Sequence, residues 1–222
     1  LNALRPKLTR HQNRDFLRQA QETTSAWWKL MEERGTRTDH PMKPQVVAWE
    51  LGKRISPDAI VSSDSGTITT WFARQIRAKR NQMFSLSGTL ATMANGLPYT
   101  IAAQVAYPER QCIAFVGDGG FSMLMAEFAT AVKYQLPIKV IIIKNNVLGQ
   151  IKWEQMVFLG NPEYGCELQP IDFAKFAQTC GGSGFTIDKA SECGAVLDTA
   201  LSTPGPVLIE AEHKSGDAIE AE

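Results

Sequence analysis

Asp118 and Asn145 are the two side chains whose types and spacing point most directly to chemistry. They lie 27 residues apart, and each lies just beyond a mostly apolar run. Because the carboxyl ends of parallel strands share one edge of a sheet, these side chains are expected to meet there. A carboxylate and an amide oxygen are hard ligands for Mg²⁺, which fills its remaining positions with phosphate oxygens and water. The pair therefore predicts a magnesium and phosphate site.

The elements that would position this pair form one βαβ unit of ordinary size. Apolar runs bounded by turn signals predict buried strands, and helical spacing of Leu124, Phe128, Ala131 and Val132 predicts the helix between them. In order, the unit comprises a strand at 111–116, a turn at Gly117, Gly119 and Gly120, a helix at 121–134 and a strand at 138–144. A glycine turn that opens into a helix presents free N–H groups and the positive end of the helix dipole, which favours a bound phosphate.

A simpler interpretation gives these residues no ligand. Asp118 would cap its helix, and Asn145 and Asn146 would form a turn. For an isolated Gly-Asp-Gly that interpretation would be preferred. The asparagine pair after a second buried strand, at this spacing, favours the metal site instead.

The segment that begins at Gly117 and ends with the pair Asn145-Asn146 resembles the cofactor motif of thiamine-diphosphate enzymes. The resemblance implies that Asp118, Asn145 and the backbone carbonyl of Val147 hold Mg²⁺ against the diphosphate of thiamine diphosphate. The motif usually uses the second asparagine of its pair. Here the 27-residue spacing selects the first, so Asn146 is expected to make no metal contact.

Further cofactor contacts follow from the same resemblance. Met93 is expected to prop the cofactor in the bent shape that brings its aminopyrimidine amine next to the thiazolium C2. The carbonyl of Ala91 would accept a hydrogen bond from that amine. The other expected contacts are Ser65, Gly66, Thr67, Thr92, Gly119, Gly120, Leu148, Gly149, Gln150 and Ile151. Without the resemblance, Met93 is an ordinary core methionine and residues 65–67 form a helix cap and a turn.

Glu154 is the candidate catalytic residue. It lies nine residues beyond Asn145 on a predicted helix, where pyruvate-oxidase-type members carry an acidic residue that faces the substrate. A half-buried carboxyl over a cofactor can transfer protons. The competing interpretation is a solvated surface glutamate next to Lys152. Gln150 departs from the pattern, because flavin-dependent relatives often have a large aromatic residue there, and this counts against oxidase chemistry.

Composition excludes several function classes. The 222 residues are 44% hydrophobic, and 23 Lys and Arg balance 23 Asp and Glu, so no charge excess favours nucleic acid or an anionic membrane. No apolar run approaches the roughly 20 residues of a membrane span. The four cysteines show no metal-ligand spacing with the histidines, which predicts reduced thiols in a cytoplasmic protein.

Strands that alternate with helices from residue 43 onward predict an α/β fold, a three-layer, doubly wound parallel sheet with helices on both faces. Residues 43–213 are expected to form the pyrophosphate-binding domain. Residues 1–42 would be the end of a middle domain and a helical linker, and residues 214–222 a flexible tail. Trp27 and Trp28 would pack either on the domain that follows or on another surface.

Residues 43–212 resemble pyruvate oxidase and quinone-dependent pyruvate dehydrogenase in particular. The resemblance implies Mg²⁺-dependent decarboxylation of a 2-oxo acid, pyruvate above all, with oxidation of the resulting enamine. Acetohydroxyacid (acetolactate) synthase is the alternative, and would use the enamine for carboligation. A non-catalytic binding or assembly module that keeps the fold is the second alternative.

The resemblance also implies groups that this chain lacks. The family activates its cofactor with a glutamate from the pyrimidine-binding domain of another subunit, which predicts a homo-oligomer, a dimer or a tetramer. FAD, where present, belongs to the middle domain, whose binding loops are not visible in this sequence. The 222 residues are therefore expected to be the cofactor-anchoring part of a longer enzyme and to be inactive alone.

Overall fold

The structure, a computed structural model, describes residues 2–9, 12–79 and 81–212. In these ranges six strands form one sheet in which every neighbouring pair is parallel. The strand order is β2-β1-β3-β4-β6-β5. The strands are β1 (Ile60–Ser63), β2 (Met83–Leu86), β3 (Cys112–Gly117), β4 (Lys139–Lys144), β5 (Ser183–Ile187) and β6 (Val207–Glu212). The predicted parallel α/β fold is confirmed.

Helices cover both faces of the sheet. They are α1 (Asp15–Gly35), α2 (Pro44–Arg54), α3 (Thr67–Gln75), α4 (Gly96–Ala106), α5 (Asp118–Leu124), α6 (Glu127–Lys133), α7 (Gly149–Trp153), α8 (Phe173–Thr179) and α9 (Ala190–Ser202), with a 3₁₀ turn at Arg5–Lys7 and a π-helical turn at Glu154–Phe158. One core cluster joins the sheet to α2, α3 and α9, and a second joins its other face to α4, α5, α6 and α8. The molecule therefore has three layers.

The central strands show why these residues form a sheet buried on both faces. Along β3, Ile113 and Phe115 belong to one core cluster, whereas Ala114 and Val116 belong to the other. Successive side chains of a strand point to opposite faces, so a strand between two helical layers must be apolar at every position. This requirement explains the continuous apolar runs in β3 and β4.

The predicted helix at 121–134 is wrong in its start and its continuity. It begins at Asp118, so Gly119 and Gly120 lie inside α5 rather than in a turn before it. It also breaks after Leu124 and resumes as α6 at Glu127. The N–H groups of Phe128 and Ala129 bond to carbonyls three residues back, which is tighter than an α-helix permits.

Helix α1 packs on the domain that follows it. Met31 is fully buried, and α1 contacts both α2 and α3. The guanidinium groups of Arg74 and Arg77 lie 5.2 Å from the ring centres of Trp27 and Trp28, respectively. Through these cation–π contacts, Trp27 packs α1 against α3 and Trp28 packs it against the segment that follows α3. The predicted tail, 214–222, lies outside the described residues.

The order of the strands determines where a ligand can enter. From β1 the chain crosses to β2 on one side, and from β3 it crosses to β4 on the other. Adjacent strands whose connections diverge leave a crevice at their carboxyl ends, where open α/β sheets bind ligands. Asp64 follows β1 at this crevice, and Asp118 follows β3.

Candidate functional site

Asp118 joins the ends of two neighbouring strands. Its side chain is only 6% exposed. Its Oδ1 accepts the N–H of Gly119 at 2.9 Å, and its Oδ2 accepts the N–H groups of Asn145 at 3.0 Å and Asn146 at 2.6 Å. The carboxylate that follows β3 is thus fixed against the segment that follows β4, as the 27-residue spacing led us to expect.

The asparagine pair shapes that segment. Asn145 Oδ1 accepts the N–H of Val147 at 3.1 Å, which closes a side-chain turn. Asn146 has a φ of 58°, in the left-handed region that asparagine tolerates better than most residues. A turn at Asn145 and Asn146 was the alternative interpretation of this pair, and the structure shows that turn. Val147, directly after it, lines the cleft described below.

Burial raises the pKa of the Asp118 carboxyl, and the N–H groups of Asn146, Gly119 and Asn145 oppose that shift. A buried carboxylate that is met only by N–H dipoles is further stabilised by a nearby cation. The two oxygens accept three hydrogen bonds in total, fewer than the four lone-pair sites of a carboxylate. Asp118 therefore retains capacity for a metal ion.

A cleft of about 220 Å³ opens beside Asp118. It is lined by all fifteen residues expected to contact a cofactor: Ser65, Gly66, Thr67, Ala91, Thr92, Met93, Asp118, Gly119, Gly120, Asn145, Val147, Leu148, Gly149, Gln150 and Ile151. They come from four separate stretches of the chain, 65–67, 91–93, 118–120 and 145–151. The tertiary structure brings them to one surface, which can hold a small molecule with an anionic and an apolar part.

The cleft also has lining residues beyond these fifteen, namely Asp64, Ile68, Trp71, Gly117 and Ile143. Asp64 precedes residues 65–67 at the same strand end and was expected to contribute to the diphosphate pocket with them. Ile68 and Trp71 were not expected. They are one helical turn apart on α3, directly after the predicted Ser65–Thr67 contact, so helical spacing could have identified them.

The glycines of the predicted phosphate turn allow close approach rather than an unusual backbone conformation. Neither Gly119 nor Gly120 has a positive φ. A Cβ on Gly119 would lie 3.0 Å from Leu148 Cδ2, 3.1 Å from Leu168 Cδ1 and 3.3 Å from Met93 Cε. Gly119 thus lets these three side chains, Met93 among them, pack closely against α5.

Glu154 does not line the cleft. It is half-buried at the junction between α7 and the π-helical turn, and its Oε1 accepts a hydrogen bond from Gln150 Nε2 at 3.0 Å. Gln150 does line the cleft and thus stands between it and Glu154. The neighbouring Lys152 pairs with Glu163 rather than with Glu154.

No cluster of three or more His, Cys, Asp or Glu side chains with metal-binding geometry occurs among the described residues. A site built from Asp118, the Asn145 amide and a backbone carbonyl would not form such a cluster. All four cysteines are free thiols. None of the helices in the described ranges combines the length and the apolar character needed to cross a membrane.

Comparison with known proteins agrees with this geometry. Residues 64–211, more than half of the chain, match the family described as "Thiamine pyrophosphate enzyme, C-terminal TPP binding domain". The putative thiamine pyrophosphate-containing protein YdaP of Bacillus subtilis (strain 168) is 43% identical over 210 residues, which cover 95% of this chain and 36% of that protein.

The names of two further relatives state an activity. Pyruvate oxidase of Lactiplantibacillus plantarum is 34% identical over 187 residues, 83% of this chain and 31% of that protein. Acetolactate synthase isozyme 2 large subunit of Escherichia coli (strain K12) is 33% identical over 196 residues, 86% of this chain and 35% of that protein. The chain thus spans about a third of the length of these curated relatives. The chain belongs to the family of thiamine pyrophosphate-dependent enzymes and carries their C-terminal cofactor-binding domain.

Proposed function

We propose that this chain holds Mg²⁺ and thiamine diphosphate in the cleft beside Asp118, as the cofactor-anchoring part of an enzyme that decarboxylates a 2-oxo acid, pyruvate above all. One observation carries the proposal. The Asp118 carboxylate meets the 145–147 segment at the carboxyl edge of the sheet, inside a cleft that every expected cofactor residue lines.

The residues present fit this cofactor. Mg²⁺ takes one or two protein carboxylates and completes its octahedron with phosphate oxygens and water. Asp118, the Asn145 amide oxygen and the Val147 carbonyl would supply the protein ligands. A cation there would offset the cost of burying the Asp118 charge.

The chain's own groups would place the cofactor and orient polar groups at the substrate end. When bound, thiamine diphosphate supplies a thiazolium ring that accepts the electron pair released in decarboxylation. Met93 would support its bent shape. Glu154 lies outside the cleft and would act through Gln150, whose amide lines the cleft and donates to Glu154 Oε1 at 3.0 Å.

Two fates of the decarboxylated substrate remain as candidates. Oxidation, as in pyruvate oxidase, is supported by the acidic residue at position 154. Carboligation, as in acetolactate synthase, is supported by Gln150, an amide that lines the cleft where an aromatic residue would accompany flavin chemistry. FAD would then belong to a middle domain, and the activating glutamate to the pyrimidine-binding domain of another subunit in a homo-oligomer.

Calorimetry tests cofactor binding. Wild-type protein is expected to bind thiamine diphosphate only when Mg²⁺ is present. Asp118→Ala is expected to weaken binding by 100-fold or more, because a charged metal ligand contributes several kcal/mol (roughly 3 kcal/mol for 100-fold). Asp58→Ala, which removes an exposed carboxylate before β1, is the matched control and should bind normally. Equal binding by the Asp118 variant would support the non-catalytic module instead.

The full-length enzyme supplied with pyruvate distinguishes the two reactions. Acetate together with a reduced electron acceptor indicates the oxidative reaction. Acetolactate indicates carboligation. Release of neither product from pyruvate would contradict the proposed substrate, while the binding experiment would still test the cofactor site.

A further inference from the structure

Asp64 is a buried carboxylate in the cleft to which the proposed mechanism gives no task. It follows β1 directly, is 1% exposed and lines the cleft. Burial raises the pKa of this carboxyl, and the N–H groups of Gly96 and Ala94 oppose the shift. Burying a carboxylate is costly, so its place between several loops calls for an explanation.

The first contact of Asp64 is with the loop that carries Met93. Its Oδ1 accepts the N–H of Gly96, the first residue of α4, at 2.6 Å. Next to it, Asn95 Nδ2 donates to the carbonyl of Ser63 at 2.9 Å. The end of β1 thus holds the turn that leads from Met93 into α4. Helix α4 accordingly begins at Gly96, directly after this turn.

The residue inside this turn has an unfavourable backbone. Ala94 has a φ of 71°, in the left-handed region that costs a residue with a Cβ free energy and that glycine enters readily. Such a conformation persists only where its surroundings impose it. The N–H of Ala94 is one of the two that oppose the rise in the pKa of Asp64, although the full hydrogen bond to that carboxyl comes from Gly96. Ala94 is also the residue directly after Met93.

The second contact of Asp64 is with α5. A Cβ on Gly120 would lie 2.0 Å from Asp64 Oδ2, so the backbone of Gly120 packs directly on that oxygen. Among the described groups, none donates a full hydrogen bond to Oδ2. The carboxylate therefore lies between the Met93 turn and the first turn of α5, which begins with Asp118.

We propose that Asp64 is a positioning residue that holds Ala94 in its left-handed conformation and so keeps Met93 over Gly119, in register with the start of α5. The inference rests on the proposed cofactor site and adds to it. One carboxylate couples the side chain that shapes the cofactor to the helix that carries the expected metal ligand. Asp64 itself acts on the cofactor only through Met93 and Gly120.

A purely structural role makes a different prediction. If Asp64 only capped α4, its loss would destabilise the fold whatever residue stood at position 94. If it supports a left-handed Ala94, a glycine at that position should make the support unnecessary, because glycine adopts this φ without cost. The Asp64→Ala, Ala94→Gly and combined variants form a double-mutant cycle that separates the two roles.

Hydrogen exchange of the cofactor-free full chain is the first measurement. In Asp64→Ala, the amides of Ala94 and Gly96 are expected to exchange at least about tenfold faster, because the turn is no longer held. Ser62→Ala is the matched control, since it truncates a side chain of equal burial two residues earlier on β1. It should leave the exchange of both amides unchanged.

Calorimetry with Mg²⁺ and thiamine diphosphate is the second measurement. Asp64→Ala is expected to bind the cofactor about tenfold more weakly than wild type. A loss of this size matches the free-energy cost of holding one residue with a Cβ in the left-handed conformation. Ala94→Gly should bind within about threefold of wild type. The combined variant should recover most of the loss. Asp64→Asn serves if Asp64→Ala fails to fold. It keeps an oxygen for Gly96, so it is expected to give a smaller loss of binding than Asp64→Ala, and Ala94→Gly should again recover most of that loss.

The outcomes separate this inference from the proposed function. Wild type that binds no cofactor contradicts the proposed function, and the exchange rates then decide the role of Asp64 alone. Unchanged exchange at Ala94 and Gly96 overturns the inference. Strictly additive effects of the two substitutions on cofactor binding also overturn it, and leave Asp64 as a cap of α4.

Discussion

At the scale of single residues, the site depends on its glycines as much as on its polar side chains. Gly119 and Gly120 lie in α5, where glycine is ordinarily unfavourable. They are nevertheless required, because the space that a Cβ would fill is occupied by Met93 and Leu148 in one case and by Asp64 in the other. Close approach, rather than backbone freedom, explains these two glycines.

Gly120→Ala is expected to destabilise the protein by about 2–4 kcal/mol, because its Cβ would meet the buried Asp64 carboxylate and neither group can move into free space. Gly117→Ala is the matched control. It has an extended φ of −86°, and no atom lies within 4 Å of its Cβ position. Urea unfolding of both variants checks the difference, and equal stability would contradict the packing argument.

Lys139 makes stability depend on pH. Its side chain is 4% exposed at the start of β4, and its Nζ donates to the carbonyls of Thr203 and Gly205. Burial lowers the pKa of this amine from 10.5 to about 8. Between these values the unfolded chain binds more protons than the folded one, so the contribution of Lys139 to stability rises with pH across this window.

Comparison with Lys139→Met isolates this effect, because other alkaline titrations are common to both proteins. Between pH 7.5 and pH 10, the free energy of unfolding of the wild type is expected to rise by about 1–2 kcal/mol relative to that of the variant. This is less than the full pKa shift implies, because the two carbonyls that accept from Nζ favour the charged amine. Urea unfolding at several pH values provides the measurement. A difference between the two proteins that does not change with pH would contradict this expectation.

At the scale of elements, the 145–147 segment is fastened from two directions. From one side, the N–H groups of Asn145 and Asn146 donate to the Asp118 carboxylate. From the other, Leu148 N–H donates to the carbonyl of Cys166, and Leu168 N–H donates to the carbonyl of Asn146, both at 2.8 Å. Lys144, the last residue of β4, pairs with Glu212 at 2.8 Å and with the buried Glu210 at 3.4 Å. These contacts fix the end of β4 beside the cleft.

Helix α1 provides a prediction at the same scale. Met31→Ala is expected to weaken the packing of α1 on the rest of the domain by about 2–4 kcal/mol of free energy. Met31 is fully buried, and its sulfur accepts a hydrogen bond from Gln75 Nε2. Phe16→Ala on the same helix is the control, since Phe16 is 85% exposed, and should change stability little. Faster hydrogen exchange confined to α1 in the Met31 variant would verify this, and equal exchange in both variants would refute it.

At the scale of the whole molecule, the chain is one three-layer unit whose cleft is open at the carboxyl edge of the sheet. It spans about a third of the length of its curated relatives. In the proposed function, the residues of this cleft anchor the diphosphate and support the cofactor. The glutamate that would activate the cofactor belongs, by resemblance, to another domain.

This division predicts that the 222-residue chain alone binds Mg²⁺ and thiamine diphosphate more weakly than the full-length enzyme and releases no CO₂ from pyruvate. Turnover should be restored only in a protein that also contains the pyrimidine-binding domain. Labelled CO₂ release, measured for both proteins at equal concentration, checks this. Robust decarboxylation by the 222 residues would show that the activating group lies within them.

The sequence by itself determined the fold class, the family and the candidate ligands. Strands buried on both faces must be apolar at every position, so β3 and β4 were recognisable, and the types and spacing of Asp118 and Asn145 are local properties of the chain. Only the tertiary structure decided the break between α5 and α6, the placement of Glu154 behind Gln150, and the contacts of Asp64. These depend on which backbone approaches which across the sheet, and no local pattern encodes a contact between residues 32 or 56 positions apart.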